Sequence, residues 1–144
     1  MSTEENNVIA RRWYEEGMNG HNLAVFDKLY APDFVEHMPV GPSAQSREEA
    51  RQFLAGVFTA LPDLRITIEE MIAEGDKVVA RYTTTGTQTG DLMGIPATGK
   101  QIKTTFFDIL RFKDGKIAEH WFESDRLGMM QQLGVIPTPG QAPD

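Results

Sequence analysis

The spacing of apolar residues along this chain changes period once, between Leu61 and Leu64, and that switch restricts the fold more than any other feature. Upstream, Phe53, Leu54, Val57, Phe58 and Leu61 recur at the three- and four-residue intervals of a helix buried on one face. Downstream, Ile66 and Ile68 alternate with Arg65 and Thr67, and Val78 to Gln88 is rich in Val, Tyr and Thr, which is the two-residue period of half-buried strands. Helices first and antiparallel strands after predict an α+β class, with helices on one face of a strongly curved sheet.

Local punctuation divides each half. A helix over Glu4 to Met18 stops at Asn19-Gly20, and Asn22 caps a short helix, Leu23 to Tyr30, that Pro32 ends. A strand is expected over Phe34 to Met38. Ser46 and Glu49 form a capping box for a helix over Arg47 to Ala60. The Glu74-Gly75-Asp76-Lys77 turn closes one hairpin, and a Gly-rich loop, Thr89 to Gly99, leads to a second, with strands Gln101 to Phe112 and Lys116 to about Ser124. A short helix over Asp125 to Leu133 precedes a Pro/Gly-rich tail, residues 135–144. Neither a repeat nor a composition shift divides the 144 residues, so a single domain is expected.

Composition excludes several chemistries. The chain has no cysteine, which removes thiol catalysis, thiolate zinc sites and Fe–S clusters, and its three histidines lack metal-ligand spacing, so no metal is expected. Fourteen Lys and Arg against 21 Asp and Glu give a net charge of −7, against a nucleic-acid groove or an anionic-membrane patch. The expected partner is a small apolar molecule. With a polar first stretch and no long apolar run, the expected location is cytoplasmic.

The second hairpin carries the chemistry, and its register decides which side chains share a face. A two-residue Asp114-Gly115 turn would set Asp108 opposite Trp121. A three-residue loop, Lys113 to Gly115, would set Asp108 opposite His120, and it is favoured because it gives one mostly apolar face of Phe106, Asp108, Leu110, Ala118, His120 and Phe122. Asp108 would then orient the His120 ring in a poorly solvated pocket and favour its imidazolium form. The other face, with Phe107, Ile109, Arg111, Glu119 and Trp121, is also too apolar to be fully wet, which predicts a homodimer through the outer sheet face. Trp13 and Tyr14 on the first helix and His37 at the end of the first strand complete the chemistry-bearing residues, although side chains of these types more often serve a core or a surface.

The string Asp91-Leu-Met-Gly-Ile-Pro-Ala-Thr-Gly-Lys100, with Asp108-Ile-Leu-Arg-Phe-Lys-Asp-Gly-Lys-Ile-Ala-Glu-His-Trp121, Gln131-Gln-Leu-Gly134 and Ala31-Pro-Asp-Phe-Val-Glu-His37, resembles the SnoaL-like polyketide cyclase family. That resemblance implies the NTF2-like cone, in which N-terminal helices close a curved sheet around a pocket, as in ketosteroid isomerase. SnoaL-type cyclases perform a cofactor-free aldol closure using an aspartate two positions after the last-strand histidine, where this chain has Phe122, and their pocket histidine on the preceding strand corresponds to Asp108. By similarity to ketosteroid isomerase, Tyr14 and Asp108 correspond to the oxyanion donors and His37 to the general base.

The resemblance therefore implies an enzyme without cofactor that moves a proton beside a carbonyl, in aldol cyclisation, isomerisation or dehydration. His37 or His120 would take the proton, and Tyr14 or a protonated Asp108 would donate to the oxyanion. Trp13, Phe106, Phe122 and Met93 would contact substrate, with the loop Gly90 to Gly99 as a lid. Two alternatives stand beside it. One is a non-catalytic small-molecule-binding module. The other is an epoxide hydrolase, which needs a second pocket carboxylate; Asp125, the nearest in sequence, is expected to cap the last helix instead.

Overall fold

The computed structural model describes residues 2–39 and 41–140; residues 141–144 of the tail lie outside the described residues. Helix α1 (Thr3–Arg12) begins at Ser2, whose hydroxyl accepts from the Glu5 amide, with Glu4 and Glu5 in its first turn and Arg11 and Arg12 in its last, as the helix dipole favours. It runs directly into a π-helical segment, Trp13–Met18. The wider turn buries both Trp13 and Tyr14, and Gly17 makes room for the indole, since a Cβ there would lie 2.3 Å from a Trp13 ring carbon. Asn19 then ties the helix end to the sheet, donating to Ile66 O and accepting from Ile66 N.

Helix α2 (Leu23–Leu29) is capped by Asn22, and α3 (Arg47–Ala60) by Ser46, whose Oγ accepts from Glu49 N, while Glu49 Oε2 accepts from Gln45 N rather than from Ser46 N. Strands β1 (Tyr30–His37), β2 (Arg65–Glu74), β3 (Lys77–Thr87), β4 (Gln101–Lys113) and β5 (Lys116–Ser124) form one sheet in the order β1-β5-β4-β3-β2. The pairs are antiparallel except β1 with β5, which is parallel. Strand β1 starts four residues earlier than its apolar run predicts. As an edge strand with a register shift between Tyr30 and Val35, it tolerates Pro32. Helix α4 (Arg126–Gln132) follows, capped by Asp125 as expected.

The β4–β5 register differs from the favoured expectation. Asp114 and Gly115 both take positive φ, 51° and 77°, which makes a two-residue turn of the type that matches strand twist, and Lys113 pairs with Lys116. The register then shifts between Arg111 and Phe112, with Ala118 as the extra residue, so Asp108 faces Phe122 and Leu110 faces His120. The bulge restores the side-chain phase. Asp108, His120 and Phe122 share the inner face, although Asp108 and His120 are diagonal rather than opposite neighbours.

The core lies between that inner face and the helices. Tyr14, Phe26, Val78, Leu110 and Ile117 are its most deeply buried large side chains. The outer face keeps Phe107 53% and Ile109 37% exposed.

Candidate active site

Alternation along β3, β4 and β5 aims Tyr82, Thr84, Thr104, Phe106, Asp108, His120 and Phe122 into one cavity of about 440 Å³. Trp13 and Tyr14 close it from the π-helical segment, and Met93 lines it from the loop after β3. The residues expected to contact substrate, Trp13, Phe106, Phe122 and Met93, thus all border this space.

Asp108 is buried at the cavity wall and collects three groups. Tyr14 Oη donates to its Oδ2 at 2.9 Å, Tyr82 Oη donates to its Oδ1 at 3.2 Å, and His120 Nε2 lies 3.3 Å from Oδ2. On the other side of the ring, His120 Nδ1 lies 2.8 Å from Glu36 Oε1. His120 is therefore held between two carboxylates. These two contacts are ion pairs by distance, and neither His120 Nε2 nor Glu36 Oε1 has an aligned hydrogen bond. Glu36 lines the cavity, and its Oε1 is buried.

Burial by itself would lower the His120 pKa, but the Asp108 and Glu36 carboxylates outweigh it and push it up to about 10. The ring is an imidazolium at neutral pH and has no free lone pair with which to take a proton. Tyr14 and Tyr82 are both raised well above 10, first by burial and then by the Asp108 charge, so both stay protonated donors.

His37 does not reach this cluster. Adjacent strand residues point to opposite faces, so with Glu36 inward His37 turns outward. Its ring stacks on Trp121 at 4.9 Å, and its Nε2 meets Glu119 Oε2 at 2.7 Å. Glu119 also accepts from Arg111 Nε at 2.8 Å, and these two bonds hold its carboxyl below the usual carboxylate range. The acidic neighbour of His37 occupies the place expected for His37 itself. Its signal was present in the alternation, because Glu36 follows buried Phe34 by two residues and shares its face. Tyr82 was likewise missed. It continues the inward series Val78, Ala80, Tyr82 on β3.

Among the described residues no group of three or more His, Asp or Glu side chains is placed to hold a metal ion. The loop bordering the cavity is tied down at its base by Gln88, which is fully buried. The Gln88 amide donates to Ile95 O and Pro96 O, and its Oε1 accepts from Thr98 N and Thr98 Oγ1.

Set beside known proteins, the chain matches the family model for SnoaL-like polyketide cyclases over residues 8–133. It belongs to the SnoaL-like polyketide cyclase family. Aklanonic acid methyl ester cyclase DnrD of Streptomyces peucetius is 34% identical over 110 residues, which are 75% of this chain and 74% of that one. The structure of TsrD from Streptomyces laurentii superposes with a TM-score of 0.85 at 29% identity, covering 94% of this chain and 99% of that one. A protein of ketosteroid isomerase-like fold from Catenulispora acidiphila, 18% identical, has a TM-score of 0.74 over 88% of this chain and 92% of that one, a likeness of fold alone. The SnoaL-like fold here is thus the α+β, NTF2-like arrangement that the resemblance implied. Within it, Phe122 lines the cavity on β5. Asp108 lies directly across the ladder on β4.

Proposed function

We propose that this chain is a cofactor-independent cyclase that closes a ring in a polyketide-derived keto ester by an aldol step, a substrate class like that named for its relative DnrD. The observation that carries the reading is the Glu36–His120–Asp108 cluster at the wall of an apolar cavity. The Glu36 carboxylate takes the proton beside a carbonyl, and the imidazolium of His120 supplies the positive charge that stabilises the enolate. The enolate carbon then attacks a second carbonyl carbon, forming the C–C bond. The resulting alkoxide takes that proton back from the Glu36 carboxyl, so the step is redox-neutral and atoms balance without a co-reactant. Asp108, with its tyrosine donors, positions His120 and keeps it charged. The role given to His37 by resemblance passes to Glu36, because His37 borders the outer face.

Mixing the protein with a β-keto ester in deuterium oxide and following the α-proton by NMR tests this directly. Wild type is expected to wash out the α-proton well above the buffer rate, and Glu36→Gln to return it to the buffer rate. Equal rates in the two proteins would remove Glu36 as the base. Exchange no faster than buffer in wild type would favour a binding module, which Phe122 in the aspartate position also favours.

Water attack on an epoxide is a second reading that gains from Glu36, since the cavity does hold the second carboxylate that chemistry needs. Diol formation from a cyclic epoxide, absent from Glu36→Gln, would select it.

The working unit we propose is a homodimer through the outer sheet face. Phe107, Ile109 and the Trp121–His37 stack leave an apolar surface there that a second copy would cover.

A further inference from the structure

Thr104 and Arg126 lie at the opposite end of the cavity from the acid/base cluster, and neither is used by the chemistry above. Thr104 precedes Asp108 by four residues on the same inward-facing row of β4. At about 3.3 Å per residue this separates them by about 13 Å. Thr104 is buried, and its Oγ1 has no hydrogen-bond partner. Helix α4 is fixed beside it at both ends, because Asp125 N donates to Thr105 O at 3.2 Å before its start and the Gln132 amide clasps both Lys103 N and Lys103 O at its end. Arg126, the first residue of α4, is thereby held at the cavity wall.

Arg126 forms no ion pair with any carboxylate among the described residues. Its Nη2 lies 4.0 Å from Met93 Sδ. The adjacent Asp125 carboxylate is engaged instead by Gly128 N at 2.9 Å. The other acidic groups lining the cavity are also engaged. Glu49 Oε2 accepts from Gln45 N, while Glu36 and Asp108 bracket His120 at the far end. Between the two polar ends lies apolar wall, with Phe106 stacked on Tyr82 at 5.1 Å and Phe122 beside them. An unpaired guanidinium and an orphaned buried hydroxyl beyond a flat aromatic wall describe a receptor for a terminal oxyanion.

We propose that Arg126 and Thr104 form a second subsite that binds a carboxylate on the ligand's remote end. Resting on the reading of the cavity as the substrate site, the ligand is then an elongated molecule with a flat apolar middle and two oxygen-bearing ends, one reacting at Glu36 and one held at Arg126. Arg126 sets specificity for the acid.

Calorimetric titration with anthraquinone-2-carboxylate and its neutral analogue anthraquinone-2-carboxamide tests the subsite without needing turnover. Wild type is expected to bind the carboxylate at least about tenfold more tightly than the carboxamide, as a charge-assisted pair provides. Arg126→Gln is expected to bring the two within about twofold and Arg126→Lys to keep part of the preference, since an ammonium retains the charge without the fork. Thr104→Val is expected to weaken both probes several-fold. Glu36→Gln leaves the preference in place, so the subsite and the acid/base reading fail separately. A wild type that binds neither probe or binds both equally, or a preference that survives Arg126→Gln, would overturn the assignment to Arg126. Unchanged affinities in a folded Thr104→Val would overturn the part given to Thr104.

Discussion

Tyr14 donates its hydroxyl proton to Asp108 Oδ2 across 2.9 Å, linking the π-helical segment to the middle of β4 in the interior of the protein. Removing the hydroxyl leaves a buried carboxylate with one donor fewer. Hydrogen bonds to charged groups contribute about 1.5–3 kcal/mol, so Tyr14→Phe is expected to lower the unfolding free energy by about that much in urea titrations at pH 7. An undiminished stability would mean that the Tyr14–Asp108 hydrogen bond makes no net contribution to folding.

His120 gives the protein a distinct pH signature. Its folded pKa of about 10 exceeds the 6.5 of an unfolded histidine, so the stabilisation from its charge is complete below about pH 6.5 and is lost as pH rises through 10. Unfolding free energy should therefore fall between pH 7 and 10, and His120→Gln should flatten that limb. The imidazole proton resonances of His120 are expected to stay at their charged position from pH 5 to 8. A midpoint near 6.5 by NMR would refute the bracketed imidazolium.

Glu36 and His37 are neighbours in sequence and face opposite sides of the sheet, so their variants should diverge. Loss of a positioned general base typically costs about 10²- to 10⁴-fold in rate, and Glu36→Gln is expected to fall in that range. His37→Ala should turn over substrate at the wild-type rate. The reverse pattern in steady-state assays would return the base to His37.

This divergence also marks how far the sequence could be read. The start of α3 was legible because Ser46 acts within one helical turn, and its Oγ accepts from Glu49 N in the folded chain, while the Glu49 carboxylate accepts from Gln45 N, one residue before the expected Ser46 N. The common face of Asp108 and His120 was expected from a three-residue loop, whereas in the folded chain a two-residue turn and the extra residue Ala118 together produce it. Their exact pairing was not legible, since Ala118 carries no compositional mark of the bulge that shifts the register. Glu36 was hidden for another reason: its partner His120 comes from a parallel pairing of β1 with β5, which joins residues more than 80 positions apart. Identity of the neighbour, rather than of the residue, made the site.

The outer face offers a test of assembly. Phe107 is 53% exposed beside half-exposed Ile109 and the Trp121–His37 stack, an apolar patch larger than single scattered residues would leave. Phe107→Asp places a charge in the middle of the proposed interface. Sedimentation velocity is expected to show a dimer for wild type and a monomer for this variant, with the fold intact by circular dichroism. A monomeric wild type would rule the interface out.

Gln88 controls the loop over the cavity. Its side chain has no exposure and makes four hydrogen bonds, to Ile95 O, Pro96 O, Thr98 N and Thr98 Oγ1, while its backbone N donates to Lys100 O and its carbonyl accepts from Gly99 N. A loop anchored this way at both its middle and its end is held over the cavity as a fixed wall, and the lid expected from its glycines would have to move only its outer part, around Met93 and Gly94. Gln88→Leu keeps the volume roughly constant but removes the partner of the Ile95 and Pro96 carbonyls and of the Thr98 amide and hydroxyl, part-buried bonds worth about 0.5–1.5 kcal/mol each. The variant should therefore lose several kcal/mol in denaturant titrations or, where the loop detaches to reach water, lose much less. In that second case amide exchange at Ile95 and Thr98 should accelerate strongly while the β3 and β4 amides stay protected. Unchanged exchange together with unchanged stability would show that Gln88 does not hold the loop.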